Sequence, residues 1–211
     1  IDLNCDLGEG TGNDSFIMPL ISSCSIACGG HFGDKKTITD AIELAQKNNV
    51  KTGAHPSYLD TKFFGRKSLD IPIKELQNSI RYQLDLFFSI SSNSTHIKAH
   101  GALYNDLFYD LEKAEAVVEV FKEYGNLYVF CQPLSKLSTV LSSKKIKQIS
   151  DDKFLDFLAI ESNQMPDKNY EMKLIFSGNL IIRVVAEVIE VTLDDQGDPW
   201  DTKNKPKHEL L

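Results

Sequence analysis

The sequence predicts an α/β fold, a parallel sheet wrapped by helices that is either closed as a barrel or open and doubly wound. Three observations predict it. Short strand-like runs alternate with amphipathic helical stretches five times over the first ~145 residues. No long linker, low-complexity segment or internal repeat interrupts that alternation. Apolar residues make up 42% of the 211 and charged residues 25%, the composition of a chain that buries an ordinary globular core.

Residues 1–5 read as the first strand and residues 25–28, Ser-Ile-Ala-Cys, as the second. Between them a short helix fits residues 14–22, with Asn13 or Asp14 as its cap. Residues 37–48 form a clearer helix. Ile38, Ala41, Ile42 and Ala45 fall at i, i+3, i+4 and i+7, one apolar stripe, and Thr37 can cap it. Residues 50–54 are the third strand. The longest helix spans residues 73–90, with Pro72 at its start and Leu76, Ile80, Leu84, Phe87 and Phe88 facing inward. Residues 96–99 are the fourth strand, 111–124 a helix ended by Gly125, 127–131 the fifth strand and 134–141 another helix. Residues 153–160 are apolar without a clear period, and 173–176 and 180–191 read as strands joined by a Ser-Gly-Asn turn. One domain is expected over residues 1–193, its C-terminal part divergent or truncated, with a polar tail over 194–211.

Charge and composition exclude several classes of partner. Basic residues number 23 and acidic residues 30, so 23 − 30 = −7, a field that repels phosphate backbones and anionic lipid. Neither nucleic acid nor a membrane is expected as a partner. No apolar run reaches the ~20 residues of a bilayer span. The opening Ile-Asp-Leu-Asn-Cys-Asp is too polar for a signal peptide, so a cytoplasmic protein is expected. Cys5, Cys24, Cys28 and Cys131 form no CxxC pair and fit reduced thiols. Cys24 and Cys28 suit a metal together only on a helix, which Gly29 and Gly30 argue against. GxxxxGK[ST], GxSxG and HExxH are absent, and Gly8-Glu-Gly10-Thr-Gly12 only loosely imitates GxGxxG.

Chemistry in a parallel β/α fold collects where strands end. His31, His55 and His100 stand at the carboxyl ends of successive strands, whereas His96 starts one. These three imidazoles are expected to meet in one cavity that Asp6, Glu9 and Asp34 also enter. Histidine titrates near neutral pH, and a carboxylate can hold a metal, orient a histidine or activate water. The glycines beside them permit close backbone approach to a ligand. Plainer roles stand next to these: Asp6 and Asp34 as helix caps, Lys98 and Arg66 as surface charges, Tyr58, Phe64 and Tyr104 as core aromatics, and Cys28 as a small buried residue.

Five segments, in this order, carry a resemblance. They are Asp2-Leu-Asn-Cys-Asp-Leu-Gly-Glu9, Ser25-Ile-Ala-Cys-Gly-Gly-His-Phe-Gly-Asp34, Gly53-Ala-His-Pro-Ser-Tyr58, Phe64-Gly-Arg66 and Lys98-Ala-His-Gly-Ala-Leu-Tyr-Asn105. Together they resemble the LamB/YcsF family, understood as the A subunit of the prokaryotic 5-oxoprolinase. The likeness covers roughly residues 1–131, with Ala99 where the family usually has proline. The family's later Ala-Asp-Arg-x-Tyr, Val-Pro-Arg-like and Cys-x-His-Gly-Asp stretches have no counterpart here.

The resemblance implies a seven-stranded variant of the (β/α) barrel, similar to the glycoside hydrolase/deacetylase superfamily. It implies ATP-dependent opening of 5-oxo-L-proline (pyroglutamate) to L-glutamate, with ATP as cofactor and with partner subunits B and C; Mg2+ follows from ATP chemistry in general, not from a recognisable ligand set. By motif, the expected catalytic residues are Asp6, Glu9, His31, His55 and His100. Asn4, Asp34, Arg66, Lys98, Tyr104 and Asn105 are expected to bind substrate or nucleotide, and no residue is expected to be a resident metal ligand. Two other readings stay open: a metal-dependent amide or acetyl hydrolase in which Asp6 and two histidines hold Zn2+, and a non-catalytic subunit that only binds substrate or partners.

Overall fold

The computed structural model of the chain describes residues 3–150, 155–164, 170–176 and 181–185. It divides into two compact units, Asp2–Phe154 and Leu155–Leu211 with Ile1. In the first, β1 (Leu3–Leu7), β2 (Ser23–Ala27), β3 (Lys51–His55), β4 (His96–Ile97), β5 (Tyr128–Cys131) and β6 (Gln148–Ser150) lie side by side in chain order. Every neighbouring pair among these six is parallel. The order never reverses, so the sheet has no switch point of the doubly wound kind. It is a parallel α/β half-barrel of six strands. All five residues of β2 are buried, as expected for a parallel strand covered on both faces.

The connecting helices follow the apolar stripes, with corrections at their ends. In α2 (Lys35–Lys47), Ile38, Ala41, Ile42 and Ala45 are buried. Its cap is Asp34, which accepts from the Thr37 N–H at 2.9 Å; Thr37 itself sits inside the helix and binds back to the Asp34 N–H. In α3 (Ile73–Phe88), Leu76, Ile80, Leu84 and Phe87 are buried; Phe88 is half-buried and stacks on Tyr124. The segment read as residues 14–22 is α1 (Asp14–Ile17) followed by a 3-10 turn over Met18–Leu20, where Pro19 sits. The sequence missed α4 (Gly101–Tyr109), because Gly101 reads as a loop residue. Gly101 has φ +55°, and a Cβ there would lie 2.6 Å from the Gly65 carbonyl oxygen. α5 (Leu111–Phe121) and α6 (Lys136–Ser143) complete the cover, each with a side-chain cap, from Asp110 and Ser135.

The second unit contains β7 (Leu155–Gln164), β8 (Tyr170–Phe176) and β9 (Ile181–Val185), an antiparallel meander. Residues 155–160 of the apolar stretch lie in β7, the strand expected at 173–176 lies in β8, and that expected at 180–191 is met by β9 over 181–185; residues 153–154, 180 and 186–191 lie outside the described residues. The Ser-Gly-Asn turn and the tail 194–211 lie outside the described residues. No helix among the described residues is long and apolar enough to cross a membrane.

One face of the parallel sheet is polar. Side chains two apart share a face, so Asn4 and Asp6, Ser23 and Ser25, Gly53 and His55, and His96 and Lys98 pair along their strands. The register aligns Asp6 with Ser25, Ser25 with Gly53, and Gly53 with His96. Asn4 Nδ2 donates to Ser23 Oγ at 2.9 Å, Ser25 Oγ donates to Asn4 Oδ1 at 3.2 Å, and Ser25 Oγ lies 3.3 Å from His96 Nε2. The His96 ring also rests on Phe130, with centroids 4.8 Å apart, and burial pushes its pKa down to about 3. His96 therefore lies neutral beneath the rim, over a strand position kept free of a side chain. A Cβ on Gly53 would fall 2.2 Å from His96 Cδ2. Gly53→Ala is predicted to destabilise the fold by about 1–3 kcal/mol through overpacking. Urea unfolding checks this; an unchanged midpoint would mean that the His96 ring does not fill that space.

Candidate active site

The carboxyl ends of parallel strands share one rim, and the sequence places acids and imidazoles on four of them. Asp6 lies in β1, Glu9 just beyond it, His55 closes β3, Lys98 and His100 follow β4, and His31 follows β2. Their rings meet. His31 and His100 stack face to face, with centroids 3.7 Å apart and an interplanar angle of 8°. His55 stands edge-on to both, at 5.6 and 4.8 Å. Glu9 Oε1 is 2.8 Å from His31 Nε2 and 3.5 Å from His100 Nδ1. Asp6 Oδ2 is 3.2 Å from His55 Nε2, and Lys98 Nζ donates to both Asp6 oxygens at 3.1 Å.

Backbone carbonyls set the ring orientations. His55 Nδ1 lies 2.7 Å from the Lys98 carbonyl, and His100 Nε2 lies 3.0 Å from the Phe64 carbonyl. A carbonyl only accepts, so both of these nitrogens carry hydrogen. His100 Nδ1 is then a lone pair, 3.0 Å from His55 Nε2. That nitrogen of His55 faces two acceptors, His100 and Asp6, and a proton there satisfies the contact. Phe64 reaches its position at φ +54°, a left-handed conformation that costs a non-glycine residue roughly 1 kcal/mol or more. Gly65 (φ +65°) follows, where a Cβ would stand 2.9 Å from His31 Cβ.

The electrostatics agree with that proton. Burial alone would depress His55, but the Asp6 carboxylate beside it wins and holds its pKa above the ordinary value. Burial would likewise raise Asp6, yet the charges on His55 and Lys98 hold it well below the carboxylate range. Glu9 goes the other way: burial raises it, the Asp6 charge adds to the rise, and His55 opposes. His31 and His100 are pushed down to about 3, by burial first and then by the positive charge on His55. The cluster thus holds an ionised pair, Asp6 and His55, beside neutral imidazoles and a carboxyl that keeps its proton to higher pH than usual. His31 Nδ1 is buried with no hydrogen-bond partner.

Of the other expected site residues, Asn4 belongs to the polar layer beneath the rim. Asp34 is exposed and engaged as the α2 cap, the plainer of its two roles. Arg66 is exposed, with its guanidinium 5.7 Å from the centre of the Phe64 ring. Tyr104 and Asn105 ride on the first turns of α4, the one half-buried and the other exposed. Lys98 is no surface charge: it is 2% exposed and bound to Asp6. Tyr58 is a core aromatic whose hydroxyl donates to Asp106 Oδ2 at 2.6 Å. The four cysteines are buried thiols, and burial pushes Cys24 and Cys28 up to about 12. Nothing in the sequence points to the Phe64 carbonyl, which acts through backbone, or to Asp106.

Fold and site together define a parallel α/β half-barrel with an acid–imidazole centre at its carboxyl rim. The LamB/YcsF family model matches residues 1–192, well past the motif-bearing residues 1–131, and the chain belongs to that family. It is 36% identical over 207 residues to the 5-oxoprolinase A subunit of Staphylococcus haemolyticus (strain JCSC1435), a match covering 94% of this chain and 77% of that protein. It is 41% identical over 139 residues to the protein of the same name from Staphylococcus epidermidis (strain ATCC 12228 / FDA PCI 1200), covering 62% and 55%. Among solved structures it resembles the lactam utilization protein from Thermus thermophilus, with a TM-score of 0.66 and 31% identity over 71% of this chain and 65% of that one.

Protonation of the site shapes stability against pH. His31, His96 and His100 fall from an ordinary 6.5 to about 3 in the folded chain. The unfolded chain takes up those protons first, so stability is lost as pH falls from 6.5 toward 3, each group contributing at most about 1.4 kcal/mol per pH unit. Glu9 opposes this from its ordinary 4.5 upward, because its folded value is raised. His55, also raised, loses its contribution only as pH climbs above 6.5. Asp6, lowered, loses its own only as pH drops below 3.8. Asp14, raised by burial, opposes with the same sign as Glu9 from its ordinary 3.8 upward. The three imidazoles outweigh these two carboxyls between pH 6.5 and 5, so the urea midpoint should fall across that window. A flat or rising midpoint would show that the imidazoles are not held neutral.

Proposed function

We propose that the chain works as the A subunit of an ATP-dependent 5-oxoprolinase, opening the lactam of 5-oxo-L-proline to L-glutamate. The observation that carries this is the union of Asp6, Glu9, His31, His55 and His100 in one buried cluster, on the segments that bear the family motifs. The names of the Staphylococcus relatives and of the Thermus neighbour support it. Hydrolysis of this lactam is unfavourable toward glutamate at neutral pH. Phosphorylation of the lactam oxygen by ATP would couple the step to a favourable one and make the ring carbon a better electrophile.

Each residue has a role that its surroundings suit. Glu9 is the general base for water: its carboxyl takes a proton more readily than an exposed one, and neutral His31, donating from Nε2 at 2.8 Å, holds it in place. His55 and Lys98, paired to Asp6, fix positive charge at the rim before the reaction begins, which stabilises a developing oxyanion. Arg66, exposed beside the Phe64 ring, takes the substrate carboxylate or a phosphate, and Tyr104 and Asn105 on α4 are the remaining binding residues of the proposal. The buried donor set is rich in nitrogen rather than an all-oxygen cage, so Mg2+ would come with the nucleotide phosphates. Partner subunits B and C, a cytoplasmic location, closure as a seven-stranded barrel and kinship to the deacetylase superfamily belong to the same proposal.

A second reading is a zinc-dependent amide hydrolase. Asp6, His55 and His100 bring three ligand atoms within 4.8 Å of one another, as do Glu9, His31 and His100. The carbonyls behind His55 and His100 resemble the outer partners of ligating histidines. Lys98 weighs against the first set, since its ammonium, 3.1 Å from both Asp6 oxygens, would repel a dication held on the same carboxylate.

Turnover of 5-oxoproline with ATP, with and without the partner proteins of the same organism, tests the first reading. Glu9→Gln and His100→Ala should each lower kcat by about 100-fold or more. Unaltered turnover in either variant would remove that residue from the mechanism. One tightly held zinc per purified chain, with activity lost to a chelator, would favour the second reading.

A further inference from the structure

Helix α3 carries one polar residue in its buried stripe, Gln83, which is 0% exposed. Its amide is fully used. Oε1 accepts from the Ser57 N–H at 2.9 Å, and Nε2 donates to the Ser57 carbonyl at 2.8 Å and to the Ser79 carbonyl at 3.3 Å. The Ser57 N–H only donates, so the chemistry of the pair fixes which end of the amide faces it. Ser57 is two residues past His55.

The same amide abuts the other histidine loop. A Cβ on Gly30 would lie 2.3 Å from Gln83 Oε1 and 2.3 Å from Ser57 Oγ, so these atoms pack directly on the backbone before His31. From there the contacts run on: the Asp60 N–H donates to the Gly30 carbonyl at 3.2 Å, and the Gly65 N–H to the Asp60 carbonyl at 2.8 Å. Gly65 lies against both His31 and His100. One side chain thus joins the backbone of the loops that present the imidazoles.

We propose that Gln83 is a positioning residue for the lactam-opening reaction: by binding both backbone polar groups of Ser57 against Gly30, it sets where the His55 and His31 rings stand. The proposal rests on the assignment of those imidazoles to the reaction. Gln83 itself touches no reacting atom. A role confined to stability would lower the unfolding midpoint and leave ring placement and kcat alone.

The test uses Gln83→Leu, which removes all the pairing, and Gln83→Glu. As a neutral acid, a glutamate there donates to the Ser57 carbonyl and accepts from the Ser57 N–H, as the amide does. Once ionised it has no donor for that carbonyl. The expected result is a kcat about 10- to 100-fold lower in Q83L at every pH, with KM changed less than about threefold. Q83E should match the wild type at acid pH and lose kcat as pH rises. In two-bond 1H–15N spectra of the full chain, the His31 and His55 ring signals should move in Q83L, and in Q83E at high pH, while those of His96 stay. Should Q83L fail to fold, Q83E across pH carries the test alone. Folded variants with unmoved His31 and His55 signals overturn the proposal, as does unchanged kcat. If the wild type itself opens no 5-oxoproline, the functional reading fails, and the ring signals decide the positioning role by themselves.

Discussion

Asp6 leaves β1 with both carboxylate oxygens 3.1 Å from Lys98 Nζ and one of them 3.2 Å from His55 Nε2. Ionised groups at a buried rim are costly unless opposite charges are paired, and here one carboxylate is paired with two cations. The rest of the site follows from how this is done. Asp6 stays ionised because two cations face it, and His55 keeps its proton because Asp6 faces it. That charge in turn adds to the burial that keeps His31 and His100 neutral. Glu9, buried near the Asp6 charge, is left as the carboxyl most ready to take a proton. Environment alone has given two carboxylates opposite tendencies, the pattern that separates a fixed charge from a base.

The scaffold makes that arrangement hold. Parallel strands in unbroken order deliver every carboxyl end to one rim. Beneath it, Asn4, Ser25 and neutral His96 form a hydrogen-bonded layer that Gly53 leaves room for. Around it, the loop after β3 turns back through Phe64 and Gly65, giving a carbonyl to His100 and packing on His31. Gly8 and Gly10, at φ +71° and +74°, flank Glu9 and let its loop fold over the same rings. Rigid strand ends thus supply Asp6 and His55, and glycine-bearing turns bring in the others.

Much of this was legible in the sequence because it rested on period and position. The stripe Ile38, Ala41, Ile42 and Ala45 marked α2, and the strand-end histidines marked the rim. What escaped depends on contacts that leave no local mark. Asp34 reads equally as ligand or cap, and only the backbone angle at the start of α2 decides. Lys98 looks like a solvated charge until β1 places Asp6 beside it, 92 residues away in sequence. Gln83 breaks an apolar stripe, and its reason lies 26 residues upstream at Ser57. The three residues of β6 are too few to show a period.

The protonation of His55 tests the account most directly. Ring 15N shifts of the full chain, followed against pH, report each imidazole separately. The account predicts that at pH 7 His55 carries hydrogen on both nitrogens while His31 and His100 are neutral, with His100 holding its hydrogen on Nε2. A neutral His55 beside a charged His31 or His100 at that pH would contradict it.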